Sequence, residues 1–378
     1  MKKGMVYFVG AGPGDPELLT IKGLKALQQA DVVVFDRLVH PALLLEAGSE
    51  TKFIYCGKKP CEHTLRQQDI QKELMIQAKK GKSVVRLKGG DPGIFGRVGE
   101  EAEMLRRHKV AYEMIPGVTA ANAAALYAGV PLTHRDHSRS LAIVTGHSKD
   151  KSGKPDADWA SLAEGMETVV FYMGVKNLPF ITAELTSHGK REATPVLIVE
   201  WGTCGRQREV IGTLADIEQK AAEEHIENPS IIIVGEVAAL HDDLQWLEKG
   251  PLTGQGCIIH HATRLTERLK DEWEKLGAEV YVGSSRWGNR EQTAFSHLSM
   301  VGHAAHIVVP DKASAAECLE YLPADLIKDK LTFYCCTNRA ADLLKQGGAE
   351  KVNGLPESGS FGKWRLLTMD KPELAEIV

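Results

Sequence analysis

No apolar run in this sequence of 378 residues reaches the roughly 18 residues of a membrane-spanning helix, so no such span is expected. An excess of one charge sign is also missing. The 46 Lys and Arg residues face 50 Asp and Glu residues, which excludes a surface that is basic overall and built for polyanions. The apolar fraction of 43% and the charged fraction of 25% are ordinary for globular proteins, and they exclude disordered and fibrous chains.

Cysteine pairing motifs are missing as well. The seven cysteines include no CxxC pair, and such an odd, scattered set is typical of reduced thiols in a cytoplasmic protein. Two closer pairs, Cys56 with Cys61 and Cys335 with Cys336, leave a metal or redox site as a minor alternative. The N-terminal apolar stretch is short and interrupted by glycine, so it predicts a first β-strand and not a signal peptide.

Short β-branched runs alternate with helix-like segments through residues 4–240. This alternation predicts an α/β fold with a largely parallel sheet. In such sheets, binding sites form at the carboxyl ends of the strands. The predicted strands of this region are Val6–Val9, Val32–Asp36, Lys52–Cys56, Ser83–Leu87, Tyr112–Ile115, Leu141–Thr145, Thr168–Met173, Val196–Glu200 and Ser230–Val234.

The segments between these strands have helical patterns with recognisable ends. Thr20 is a candidate N-cap for a helix over Ile21–Gln29. A second helix is expected from Thr64 to Lys80, where Gly81 can end it. The further predicted helices are Gly99–His108 and Val118–Ala128.

Two polar segments that contain Gly and Pro divide the chain. Lys149–Asp158 predicts a loop between two subdomains, residues 1–137 and 138–245, of a first domain over residues 1–245. Residues 246–256 predict a linker. A smaller α/β domain is expected over residues 257–378, with strands Cys257–His261, Val280–Val282, His306–Val309 and Leu331–Cys335.

A glycine-rich turn, Gly10–Asp15, directly follows the first predicted strand. It differs from a dinucleotide-binding fingerprint because Asp15 occupies the position of the third glycine and Pro13 lacks a backbone N–H. The glycines still permit a ligand to approach the backbone closely. A plain strand-exit turn is the alternative, and this segment alone does not decide between the two.

Two further strand exits carry residues suited to a ligand. Leu87–Arg97 has two glycines at the strand end, followed by Asp91, which can accept hydrogen bonds from hydroxyl or ammonium groups. Exposure of Phe95 to water would be unfavourable, which favours ligand contact over a plain loop. Pro116–Ala121 opens a helix of small residues, which suits either close ligand approach or tight helix packing.

Asp36 and Lys58 each follow a predicted strand. A carboxylate and an ammonium group at neighbouring strand ends suit proton transfer near a bound substrate. Two solvated charges are the alternative, and the commoner one. Positive charge at the same edge would suit a substrate with several carboxylates, and the candidate residues are Arg37, Lys59, Arg97, Arg135 and Arg139.

Metal-binding and nucleotide-binding patterns are weak. His134 and His137 have the spacing HxxH but lie in a loop-like stretch without a third ligand, so no metal is expected. The run Gly81–Ser83 resembles the end of a P-loop, but Ile76 stands where the first glycine belongs.

Seven segments occur in order over residues 4–240: VGAGPGDPELLTIKG, DVVVFDRLV, VVRLKGGDPGIFGR, MIPGVTAANAA, GVPLTHRD, LAIVTGH and VVFYMGV. Together they resemble the tetrapyrrole methylase family, in particular its members that act on uroporphyrinogen III. The resemblance implies two α/β subdomains with the site in the cleft between them, and a homodimer. It also implies two methyl transfers from S-adenosyl-L-methionine to uroporphyrinogen III, which give S-adenosyl-L-homocysteine and precorrin-2, a precursor of sirohaem and cobalamin.

The resemblance also implies roles for single residues. It places a proton acceptor at Asp36 and a proton donor at Lys58, and one departure is Gly93, where the family usually has Phe. We expect substrate carboxylates to contact Arg37, Arg97 and Arg135. The cofactor positions implied by the resemblance are Pro13, Gly89, Gly90, Asp91, Ile94, Thr119, Ala120, Met173 and Gly202.

The C-terminal third resembles part of uroporphyrinogen-III synthase. The resemblance depends on Thr263-Arg264, on LKDEWEKLGAEVYV and on Asn338–Gly348. Residues 251–378 are too few for the two lobes of that family, so we expect a shortened, inactive, flavodoxin-like unit. A folding spacer or a dimer contact is the alternative.

Other functions stay open at this point. The chain could methylate another precorrin, or another substrate such as protein or RNA, retain synthase activity as a bifunctional enzyme, or bind tetrapyrroles without catalysis. Intact Asp36 and Lys58 argue against the non-catalytic function. We expect neither a nucleic acid nor a membrane as a partner.

Overall fold

The computed structural model describes residues 4–57, 67–148, 153–300 and 304–354, and the structural statements below concern these ranges. Within them the chain forms three five-stranded sheets flanked by helices, which confirms the predicted α/β class. The chain divides into two compact units. One comprises the described residues within 1–26, 34–40 and 56–247, and the other comprises those within 27–33, 41–55 and 248–378.

The first sheet consists of β1 (Met5–Gly10), β2 (Val32–Phe35), β3 (Lys52–Tyr55), β4 (Ser83–Lys88) and β5 (Ala111–Ile115). Its strand order is β3-β2-β4-β1-β5. Strand β1 pairs in parallel with both β4 and β5, as expected for strands joined through helices. The carboxyl ends of these strands therefore lie at one edge of the sheet.

The helices in this part of the chain are α1 (Ile21–Gln28), α2 (Pro41–Leu45), α3 (Gln67–Lys79), α4 (Val98–Arg107) and α5 (Ala120–Tyr127). Thr20 Oγ1 accepts a hydrogen bond from Gly23 N at 3.1 Å, which confirms the predicted N-cap of α1. After α3, Gly81 has a φ of +81°, a conformation that commonly ends helices. The predicted start of that helix at Thr64 lies outside the described residues.

The second sheet consists of β6 (Leu141–Thr145), β7 (Thr168–Tyr172), β8 (Pro195–Glu200), β9 (Arg208–Thr213) and β10 (Ser230–Val234). Its order is β6-β7-β10-β8-β9. Strands β6 and β7 are parallel, whereas β10 is antiparallel to β7 and β8, and β8 is antiparallel to β9. The prediction of a largely parallel sheet is wrong here, and β9 was not predicted. Residues 201–207, which join β8 to β9, are too few for a parallel crossover.

Both faces of the second sheet are buried, because alternate residues of its strands enter two cores. Its helices are α6 (Trp159–Gly165), α7 (Leu178–Ser187), α8 (Ile217–Glu223) and α9 (His241–Leu244). Phe171 packs in a core with residues of α7 and α8, and Val170 packs in another with alanines of α5. The small residues after Pro116 therefore serve tight helix packing.

The third sheet belongs to the second unit and consists of β11 (Gly256–Ile259), β12 (Glu279–Val282), β13 (Ala304–Val309), β14 (Thr332–Cys335) and β15 (Val352–Gly354). Its order, β12-β11-β13-β14-β15, is the doubly wound order of flavodoxin-like folds, and its neighbouring strands are parallel. Strand β15 was not predicted. Its helices are α10 (Arg264–Lys275), α11 (Asn289–Met300), α12 (Lys312–Tyr321) and α13 (Asn338–Gln346).

Candidate active site

Three strand-exit loops of the first sheet meet at a backbone crossing made of glycines. Gly12 N donates to Gly90 O at 3.2 Å, and Gly90 N donates to Gly12 O at 2.6 Å. A Cβ added to Gly117 would lie 2.4 Å from Gly90 O, and one added to Gly10 would lie 2.5 Å from Gly117 Cα. These positions therefore require glycine. The crossing brings the loop that contains Pro13 against the loops after β4 and β5.

Asp91 uses both carboxylate oxygens to hold this crossing together. Its Oδ1 accepts from Gly93 N at 2.7 Å, and its Oδ2 accepts from Gly117 N at 2.9 Å. Just before it, a Cβ added to Gly89 would lie 2.9 Å from Leu38 Cβ, so the loop after β2 is also close. Each carboxylate oxygen has a further lone pair, which leaves a contact with a ligand compatible with this arrangement.

Tyr172, the last residue of β7, joins the second sheet to the start of α5. Its hydroxyl lies 2.6 Å from Thr119 Oγ1 and accepts a hydrogen bond from Ala121 N at 2.6 Å. Burial raises the pKa of Tyr172 above its ordinary value, although the contacts with Thr119 and Ala121 act in the opposite direction. The predicted positions Thr119 and Ala120 are thereby held beside Met173.

Three apolar side chains near this contact are exposed. Ile94, Phe95 and Met173 are 38%, 42% and 45% exposed. Phe95 and Met173 also have φ values of +54° and +57°, a conformation that is costly for residues other than glycine. The ring of Phe95 meets that of Tyr172 edge-on, with centroids 5.3 Å apart. Strained, exposed apolar residues at strand exits favour contact with a flat ligand.

The loop after β8 is attached to the loop after β1. Thr203 Oγ1 accepts from Asp15 N at 2.9 Å, and Tyr127 Oη donates to Asp15 Oδ2 at 2.5 Å. A Cβ added to Gly202 would lie 2.2 Å from Ala124 Cβ, so this loop and α5 pack against each other without room for a side chain. The predicted Gly202 is thus brought to the same group of loops.

Asp36 directly follows β2, where its carboxylate is partly exposed. Its Oδ1 accepts from Leu38 N at 3.2 Å, and its Oδ2 accepts from Arg86 Nη2 at 3.3 Å. Nearby, burial raises the pKa of the Cys56 thiol to about 11, so this cysteine is a neutral neighbour. The predicted proton donor Lys58 lies outside the described residues.

Arg37 contacts the loop after β8 through an aromatic ring. Its guanidinium lies 5.7 Å from the ring centroid of Trp201, and the guanidinium of Arg206 lies 3.5 Å from the same centroid. Two cations therefore share one ring between the predicted base Asp36 and the predicted cofactor position Gly202. Such a pair suits a substrate with several carboxylates.

The other two predicted substrate arginines are placed differently. Arg97 is exposed and pairs with Glu100 in the first turn of α4, with Nη2 and Oε2 2.6 Å apart. Arg135 is exposed in the turn formed by residues 134–138. Of the three, Arg37 is the one whose described contacts join two of the strand exits.

Sequence reasoning missed four residues of this region. Tyr172 and Trp201 stand immediately before predicted cofactor positions, and this adjacency was the available signal. Arg206 had no signal of its own. Arg86 stands in a predicted buried strand, where a charged residue is itself unusual.

In the described part of the chain, no group of three or more His, Cys, Asp or Glu could hold a metal ion. No helix there is long and apolar enough to cross a membrane.

Comparison with known proteins finds similarity in the part of the chain that contains the first two sheets. The family described as Tetrapyrrole (Corrin/Porphyrin) Methylases matches residues 5–218. A uroporphyrinogen-III C-methyltransferase from Priestia megaterium is 57% identical over 235 residues, which cover 62% of this chain and 98% of that protein. Another, from Bacillus subtilis (strain 168), is 50% identical over 280 residues, which cover 74% of this chain but 58% of that relative's length.

A solved structure is similar as well. Uroporphyrin-III C-methyl transferase from Thermus thermophilus, complexed with S-adenyl homocysteine, has a TM-score of 0.52 and 39% identity to this chain. The match covers 62% of this chain and 99% of that one.

Proposed function

Because the chain belongs to the tetrapyrrole methylase family, we propose that it transfers two methyl groups from S-adenosyl-L-methionine to uroporphyrinogen III and so produces precorrin-2. The single observation that carries this proposal is the joining of strand exits from two sheets at Thr119, Tyr172 and Met173. Relatives that are 50% and 57% identical are named uroporphyrinogen-III C-methyltransferase.

The glycine crossing of the three strand-exit loops, with the apolar side chains near it, fits a folded cofactor with a flat base. We infer that the glycine crossing and its neighbours would hold it by backbone groups, and that the exposed side chains of Ile94 and Met173 would contact its apolar parts. When bound, S-adenosyl-L-methionine supplies a methyl group on a positively charged sulfur. The loops must then align the reacting carbon with that methyl group and exclude water. The cofactor positions proposed are Pro13, Gly89, Gly90, Asp91, Ile94, Thr119, Ala120, Met173 and Gly202.

We propose Asp36 as the group that takes the proton released by the methylated ring, with Lys58 as the donor. The carboxylate of Asp36 is partly exposed at a strand exit, which supports its role as proton acceptor. Arg37, with Trp201 and Arg206 beside it, is proposed to bind substrate carboxylates, and Arg97 and Arg135 are proposed as weaker candidates for the same task.

A homodimer in the cytoplasm is also proposed. The free thiols of the described cysteines, most of them buried, support a reducing compartment.

The deciding experiment supplies the purified chain with uroporphyrinogen III and S-adenosyl-L-methionine. We expect a product with two added methyl groups by mass spectrometry. With Asp36→Asn, turnover should fall by ~10²–10⁴, because a proton-transfer group is lost. The affinity for S-adenosyl-L-homocysteine should stay unchanged in calorimetry. Parent-like turnover of this variant would refute the assignment of the base.

Alternatives have separate outcomes in the same assay. Turnover of another precorrin but not of uroporphyrinogen III would change the substrate, and tight binding without turnover would indicate a carrier. The C-terminal unit is proposed to be an inactive, shortened synthase-like domain. Formation of uroporphyrinogen III from hydroxymethylbilane by the purified chain would overturn that part alone.

A further inference from the structure

A row of four charged side chains runs inward from Asp36. Arg86 and Lys88 alternate along β4 and therefore lie on one face of the sheet. Glu101 of α4 lies between them, with Oε1 3.8 Å from Arg86 Nε and 3.3 Å from Lys88 Nζ. Gln67 Nε2 donates to the same Glu101 oxygen at 2.7 Å. The row thus alternates in sign from the partly exposed carboxylate to the interior.

Three members of this row are nearly inaccessible to water. The side chains of Arg86, Lys88 and Glu101 are 5%, 7% and 0% exposed, whereas that of Asp36 is 29% exposed. Burying charges costs several kcal/mol per ion unless each is compensated. Two cations and two carboxylates alternate here, so each buried charge has an opposite charge beside it. Removal of a single member would leave a buried charge without compensation.

Arg86 is held in one orientation by more than its ion pairs. Its Nη1 donates to Leu87 O at 2.9 Å and to Val34 O at 3.4 Å, while Nη2 donates to Asp36. Burial lowers the pKa of Arg86, but several neighbouring groups, first among them the carboxylate of Asp36 and including that of Glu101, together outweigh it and the net shift is upward. The guanidinium is therefore a permanent, immobile cation.

Asp36 receives its orientation from this cation and from the backbone. Leu38 N fixes Oδ1, and Arg86 Nη2 fixes Oδ2. The two donors approach different oxygens, so the plane of the carboxylate is set and its exposed side stays accessible. A lysine at position 86 would constrain the carboxylate less, because an ammonium group is a point charge without the fixed fork of a guanidinium.

We propose that Arg86, anchored by Glu101, is a positioning residue for the methyl transfer and that it acts through Asp36. This inference rests on the proposed function. As the carbon–methyl bond forms, the sulfur keeps the electron pair of the bond that breaks, and the ring gains one positive charge. The ring becomes neutral again when it gives a proton to the Asp36 carboxylate. Arg86 keeps that carboxylate aimed at the ring, and it touches no reacting atom.

The test removes Arg86 and keeps the net charge of the row unchanged. The double variant Arg86→Met with Glu101→Gln deletes one cation and one carboxylate, so the balance of the row is kept. We expect kcat to fall by ~10–10², the cost of a misplaced reacting group, with substrate KM and the Kd for S-adenosyl-L-homocysteine changed by less than about threefold. Arg86→Lys should restore part of kcat. Arg107→Met, which removes an exposed arginine of α4, is the matched control and should keep parent kinetics.

A double-mutant cycle separates positioning from a general structural effect. In an Asp36→Asn background, the same Arg86 and Glu101 changes should lower kcat no further, because their effect passes through the lost carboxylate. The proposal would be overturned if the Arg86 and Glu101 changes lowered kcat by the same factor with and without Asp36→Asn. It would also be overturned if the Arg86→Met, Glu101→Gln variant kept the kcat of the parent. If Asp36→Asn itself turns over like the parent, the base assignment fails, and this outcome is distinct from a failure at Arg86.

Discussion

Asp91 shows how one carboxylate can matter to a ligand that it need not touch. Its two oxygens accept from Gly93 N and Gly117 N, and so hold the loops after β4 and β5 at a fixed separation. Hydrogen bonds to a charged group contribute about 1.5–3 kcal/mol each. These loops depend on this carboxylate because the glycines at their crossing have no side chains that could hold them in place.

Asp91→Ala should therefore weaken cofactor binding by loosening both loops. We expect the Kd for S-adenosyl-L-homocysteine to rise by ~10-fold or more, as measured by calorimetry, from the loss of one or two charge-assisted hydrogen bonds. Asp271→Ala, which changes an exposed aspartate of α10, is the control and should bind like the parent. Equal affinity in the two variants would contradict this role.

The position of helix α5 depends on its alanines, which make up five of its eight residues. Alanines on one side of it pack against Val170, Leu197 and other residues of the second sheet. On the same helix, Ala124 leaves no space for a side chain at Gly202. The close approach of helix and loop brings the start of α5, at Thr119, to the end of β7. The packing of this element therefore assembles the candidate site.

Gly202→Ala should separate α5 from the loop after β8. The new Cβ would lie 2.2 Å from Ala124 Cβ, so one of the two elements must shift. We expect a loss of about 1–3 kcal/mol in the free energy of unfolding, as for overpacked cores. Gly99→Ala in α4 is the matched control, because its Cβ would meet nothing within 4 Å. Urea denaturation should show this control as stable as the parent or about 0.5–1 kcal/mol more stable.

At the scale of the whole molecule, the second unit has a buried polar centre of its own. His260 follows β11, is 1% exposed and stacks on Trp287 with centroids 4.4 Å apart. Its Nε2 lies 3.2 Å from Glu317 Oε2. Burial, and then the charge of His261, lower the pKa of His260 from 6.5 to about 4, although nearby carboxylates oppose this.

This histidine makes the stability of the second unit depend on pH. In the unfolded chain it binds a proton below about pH 6.5, whereas in the folded unit it stays neutral until about pH 4. Stability is therefore retained above pH 6.5 and is lost as the pH falls toward 4. Between pH 7 and pH 5 the loss should be about 2 kcal/mol, measured by urea unfolding with tryptophan fluorescence. His260→Gln should flatten this dependence, and an unchanged slope would rule out His260 as its source.

The sequence alone was sufficient for features that depend on a few neighbouring residues. The strand–helix alternation, the cap at Thr20 and the glycine turn at Gly10–Asp15 follow from local backbone preferences, and each is present in the structure. The order of the family motifs also sufficed to predict the family. Lys58 stays a prediction, because it lies outside the described residues.

Tertiary structure alone decided which of these local pieces meet. The antiparallel pairing of β10 with β7 depends on which strand lies beside β10, and the residues of β10 do not determine that partner. Arg86 and Glu101 are distant along the chain, as are Arg37 and Trp201, and no local pattern relates either pair. Such contacts follow from the order of strands in a sheet and from the packing of helices on it, which depend on the whole chain at once.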